Sequence, residues 1–123
     1  MKTAIVILSD PRNGDEALGR VFNALLVAHE GMHANGKVEV VFSGPGTRWP
    51  EQLAKLSHPV NALYNAVRTA VKGASCGCAA QFGATDGVKA SGLPLLKDKA
   101  LAGTDGVANL YAYLADGWQV LVF

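Results

Sequence analysis

Charge is scarce in this sequence. Aspartate, glutamate, lysine and arginine together make up 17% of its 123 residues, against roughly a quarter in an average soluble domain. With half of the residues apolar and a net charge of +1, the composition suggests that part of the surface is covered, most simply by further copies of the chain. No run of basic residues and no interleaving of arginine with aromatics is present, so no nucleic-acid partner is expected. Long hydrophobic runs are also missing. The opening "MKTAIVILSDP" holds five consecutive apolar residues before Asp10. That is too short for the apolar segment of a signal peptide and far too short to span a membrane, which gives the expectation of a cytoplasmic protein with no membrane partner. Cysteine is limited to Cys76 and Cys78, expected as thiols rather than as a structural disulfide.

The length is that of one compact domain over residues 1–123. Three apolar runs read as buried strands: Ala4–Leu8, Val38–Phe42 and Gln119–Phe123. They mostly lack a polar alternate face, as strands covered on both sides do. Weaker strands are expected near Val71–Ser75 and Leu93–Leu96. Between them, Leu18, Val21, Phe22, Leu25, Leu26 and Met32 recur at helical spacing from Asp15 to His33, with Asn13 and Glu16 as a capping pair and Gly36 at the end. Val60, Leu63, Tyr64, Val67 and Val71 mark a second helix after Pro59. Val107, Leu110, Tyr111 and Leu114 mark a last one, stopping at Gly117. The alternation predicts an α/β three-layer sandwich: a mainly parallel five-stranded sheet with helices on both faces.

One stretch carries a literal catalytic signature. "HEGMH", His29 to His33, spells the H-E-x-x-H of zinc proteases. The expected wheel places His29 on the sheet-facing stripe and His33 at its edge. Glu51, the only acidic candidate for a third ligand, is carried to the opposite end of the sheet by the intervening strand. Gly31 and Gly36 weaken the last turn. The match is read as accidental and no metal or cofactor is expected.

Ligands of open parallel sheets bind beyond the carboxyl ends of the strands. Three loops should leave that edge. "SDPRNGD" lacks the glycines of a phosphate cradle, and Asp15 and Glu16 already occupy the first helical turn. In "SGPGTRW", Gly44 and Gly46 allow a tight path, and Thr47 and Arg48 follow at a helix entrance. Arg48 is open to three readings: an anion ligand, a partner across a subunit interface, or a solvated side chain. "SCGCAAQFG" holds both thiols just before a helix whose N-terminus would favour thiolate. The pair could form a strained disulfide, or one thiol could carry sulfur that the other resolves. Two small buried residues without chemistry remain the alternative.

Taken in order, "KTAIVILSDP", "GKVEVVFSGPGTRW", "SCGCAAQFGA" and "LADGWQVLVF" resemble the DsrE-like family of small sulfur-handling α/β proteins, and the likeness spans the chain. The resemblance implies a five-stranded, mainly parallel sheet, homo-oligomers (trimers or hexamers), and a cysteine that accepts sulfur from one partner protein and passes it to another. Members with two cysteines here commonly separate them by two residues, whereas this chain has one. Cys78 keeps the spacing to Phe82-Gly83, and the usual relay position, counted back from Gly83, falls on Ser75 beside Cys76. Cys76 and Cys78 are therefore the candidate catalytic residues, and Gly44, Gly46, Thr47 and Arg48 the candidate ligand-binding ones. A small-ligand-binding module without catalytic cysteine is the second reading. A zinc protein in which His58 or His29 joins the cysteines is the third.

Overall fold

The structure, a computed structural model, describes all residues from Met1 to Phe123. Strands β1 (Lys2–Ile7), β2 (Lys37–Phe42), β3 (Val71–Ser75), β4 (Leu95–Leu96) and β5 (Gln119–Val122) make one sheet in the order β4-β3-β2-β1-β5. Every neighbouring pair is parallel. Parallel neighbours need crossover connections, and these carry helices α1 (Gly14–His33), α2 (Trp49–Leu53), α3 (Asn61–Val67), α4 (Cys76–Gln81), α5 (Thr85–Ala90) and α6 (Tyr111–Ala115). The α/β fold expected from the alternation is therefore present, with all of its strands parallel. No helix is long and apolar enough to cross a membrane.

The two faces of the sheet are covered unequally. In β1 and β2, Ile5, Ile7, Val40 and Phe42 point one way, into a cluster of 20 buried residues shared with α1 to α5. Ala4 and Val41 point the other way, as strand alternation requires, and meet only Tyr113 and Trp118 as buried partners. Fully burying a side chain such as Phe42 or Leu25 contributes about 1.5–3 kcal/mol, so the first face dominates stability. The second is held by Tyr113 and Trp118 edge-to-face at 5.1 Å, with Lys2 and Lys37 over the Trp118 ring. The Tyr113 hydroxyl donates to Glu39 at 3.1 Å. Burial and the Glu39 carboxylate both push its titration upward.

Helix α1 turns a different side to the sheet than the large apolar residues suggest. Its buried stripe is Ala17, Val21, Ala24, Leu25 and Ala28, so alanines allow the close approach, while Phe22 is 45% exposed. That rotation moves His29 out of the centre of the contact; it is half-buried, and His33 is exposed. Gly31 has a packing reason, because a Cβ there would lie 2.8 Å from Val38 Cγ2. The expected capping pair is not formed. Asn13 makes no side-chain cap bond, Glu16 pairs with Arg20, and Asp10 instead accepts from the Arg12 N–H at 3.0 Å.

Two further expectations need correction. Val71 belongs to β3 and not to the preceding helix, which ends at Val67. The last helix covers only Tyr111–Ala115, since Val107 is tied by an antiparallel bridge to Lys99.

Candidate functional site

The segments following β1, β2 and β3 meet at the carboxyl edge of the sheet, and Arg48 joins all three. Its Nη1 donates to Asp10 Oδ2 at 2.7 Å and its Nε to the Phe82 carbonyl at 3.1 Å. Its guanidinium also lies over the Phe82 ring at 5.5 Å. Asp10 receives Arg12 as well. Burial alone would raise the Asp10 pKa, but the backbone and side-chain bonds from Arg12, with the Arg12 and Arg48 charges, hold it below the usual carboxylate value. The structure shows a fourth arrangement beside the three readings open for Arg48, an internal tie between loops. Its strongest donor is already spent on a carboxylate.

Gly46 and Thr47 are likewise part of the frame. A Cβ on Gly46 would collide with the Ile7 carbonyl, so only glycine lets the loop after β2 cross the end of β1. Thr47 is 1% exposed and its hydroxyl donates to the Gly44 carbonyl at 2.8 Å. Gly44 adopts φ 54°, in the left-handed region that favours glycine. Its N–H serves the thiol described next.

Helix α4 begins at Cys76 itself and not after Cys78, so both cysteines lie in its first turn. Residues two apart on a helix do not face each other, and the thiols look into different surroundings. Both are free. Cys76 is buried against a cavity lined by Gly103, Thr104 and Asp105. Gly77 explains why the spacer is glycine: its N–H donates to the Gly106 carbonyl at 2.9 Å, and a Cβ would sit 2.8 Å from Val107 Cγ1.

Cys78 faces the loop after β2 and is only half-buried. The Ser43 hydroxyl lies 3.6 Å from its sulfur. The Ser75 oxygen accepts the Ala108 N–H at 3.1 Å, which leaves its own O–H to donate elsewhere. Burial pushes the Cys78 pKa up, yet hydrogen bonds from Ser75, Ser43 and the Gly44 N–H outweigh it and bring the pKa below the ordinary thiol value. Polar hydrogens around a sulfur favour its anion. Ser43 and Ser75 close β2 and β3 at the carboxyl edge. Their position was readable from the strand ends, but nothing in the spacing paired them with Cys78.

Beside this site lies a cleft of about 580 Å³ whose walls include Arg12, Asp15, Arg48, Glu51 and His58. His58 Nδ1 accepts the Val60 N–H at 3.1 Å, and burial, with Lys55 nearby, lowers its pKa. The imidazole is therefore neutral at neutral pH, with its proton on Nε2. Glu51 and Asp15 share this cleft at the start of α1. His33 lies at the far end of that helix, about 30 Å away at 1.5 Å per residue.

No protein-family profile matches the chain, and no curated protein sequence matches it. Among solved structures it is similar to that of a conserved protein of unknown function from Bacteroides thetaiotaomicron, with a TM-score of 0.61 and 12% sequence identity. The match covers 99% of this chain and 95% of that one. At that identity the likeness is one of fold alone.

Proposed function

We propose that this chain is a sulfur-relay protein of the DsrE-like kind in which Cys78 accepts and passes on a sulfane sulfur. The observation that carries the reading is the half-exposed Cys78 sulfur, 3.6 Å from the Ser43 hydroxyl at the carboxyl edge of the sheet. The thiolate attacks the outer sulfur of a donor persulfide. One S–S bond forms, the donor's S–S bond breaks, and the donor leaves as its thiolate. An acceptor thiolate then attacks the outer sulfur of the Cys78 persulfide and regenerates the Cys78 thiolate. Electrons balance without an external oxidant. The same donors that hold the thiolate serve the persulfide anion. In this reading Cys76 packs and does not resolve, because its buried thiol lies on the other side of α4.

The protein acts, in this reading, as a homo-oligomer. Support comes from the sparse charge and from edge strand β5, where Leu121 and Val122 are exposed together with Tyr111 and Leu114 of α6. Incubation with a small-molecule persulfide, followed by intact-mass and fragment analysis, tests the relay. Addition of one sulfur to Cys78, removed by dithiothreitol, is the expected result. Uptake that persists unchanged in Cys78→Ser would sink it. The cleft beside Arg12 and His58 favours a second reading, a small-ligand-binding module. A ligand retained through purification on a chain whose thiols react at ordinary rates would support that one.

A further inference from the structure

The geometry points to a two-histidine chelate for one divalent transition-metal ion of the zinc or nickel type at His29 and His33, far from the thiols. The motif failed as a protease signature because it lacks a third ligand, and no third histidine, cysteine, aspartate or glutamate joins the pair. Two ligands still make a site. His29 and His33 are one helical turn apart on α1, and their rings already stand 4.1 Å centroid to centroid, tilted by 37°. Residues one turn apart on a helix are neighbours, so rotation of the two side chains out of this stack can direct one nitrogen of each at a single ion, about 2.0–2.1 Å away.

The tautomer is prepared as well. His33 Nδ1 lies 2.9 Å from the His29 carbonyl, which has no proton to give, so Nδ1 carries the hydrogen. That leaves the Nε2 lone pair free. Metal-binding histidines are commonly held this way, one ring N–H on a backbone carbonyl and the other nitrogen on the metal. His33 is exposed and His29 half-exposed, so water completes the coordination and the ion exchanges freely. Imidazole nitrogens select zinc, nickel and copper over the oxygen-seeking magnesium and calcium. His58 is built differently: its Nδ1 already accepts from the Val60 N–H, and no second histidine stands beside it.

Titration of the full chain with zinc, followed through the imidazole nitrogen resonances, tests the assignment without relying on the cysteines. His29 and His33 should shift together and saturate at one ion per chain, with His58 as the unmoved internal reference. His33→Gln and His29→Gln each leave a single ligand and should weaken binding about a hundredfold, the low end of what effective concentration adds to a second contact. Circular dichroism checks that both variants keep the helix. Magnesium at the same concentration should move neither ring. Shifts confined to one of the two rings, equal shifts at His58, or unchanged affinity in either variant would overturn the chelate.

Discussion

Helix α4 presents one thiol to each of two neighbours, and the neighbours differ. On one side Cys78 meets the loop after β2, where Ser43 lies 3.6 Å from the sulfur. On the other, Cys76 is closed in by the segment from Gly103 to Ala108, which bonds to the helix through Gly77 and to the end of β3 through Ser75. The cysteines stand two residues apart in sequence. What separates them chemically is the side of a single helical turn.

The largest effect that distinguishes the two sides is expected in sulfur loading. Cys78→Ser should lower persulfide uptake at least tenfold, while Cys76→Ser should change it by no more than about twofold, because thiolate character and access decide reactivity. Mass spectrometry after persulfide treatment measures both. Next come the two glycines that let the loops close in. Gly46→Ala sets a methyl against a backbone carbonyl and should cost about 3 kcal/mol in denaturant unfolding, the upper part of the overpacking range. Gly77→Ala meets Val107 Cγ1 at 2.8 Å, with the Gly106 carbonyl and Thr104 Cβ farther off at 3.2 and 3.3 Å, and should cost less, about 1–2 kcal/mol on the same scale. It should also loosen the cover over Cys76 and raise alkylation there. Equal costs for the two glycines would contradict the placement of the loops.

Arg48 sharpens the comparison from a distance, since it ties down the Cys78 side alone. Arg48→Met removes the part-buried bond to Asp10 and should destabilise the fold by about 1.5–3 kcal/mol, as lost hydrogen bonds to charged groups do. The pH dependence has a definite sign. The folded Asp10 pKa is depressed, so its contribution is present above the unfolded carboxylate value and is lost as pH falls through the folded one. Acid unfolding of the native chain below about pH 4, the unperturbed carboxylate range, should therefore be steeper than that of Asp10→Asn. The smallest expected effect is at Ser43. Removing its hydroxyl with Ser43→Ala takes away one of the donors on Cys78 and should move the midpoint of the Cys78 alkylation–pH profile upward.

The chain's order of strands and helices was legible because buried parallel strands read as unbroken apolar runs, as Ala4–Ile7 and Val40–Phe42 do. The helix face was not. Large residues dominate a hydrophobic pattern, yet Ala17, Ala24 and Ala28 make the contact that sets how close α1 lies to the sheet. At the carboxyl edge, the glycines and cysteines stood out in the sequence because their chemistry is unusual. Ser43, Ser75 and Asp10 did not, since a serine or aspartate at a strand end is ordinary and its partner is set only by the crossing of loops. Arg48 stood out as an anion ligand, an interface partner or a solvated side chain, and its bond to Asp10, distant in sequence, was not legible because it depends on the crossing of loops.

Site-resolved alkylation tests the central claim most directly. The native chain is treated with limiting iodoacetamide at neutral pH, and fragment spectra assign the label between Cys76 and Cys78. Cys78 should be modified first, with a pH midpoint below that of an ordinary thiol. Label appearing first on Cys76, or on both at the rate of a free thiol, would contradict it.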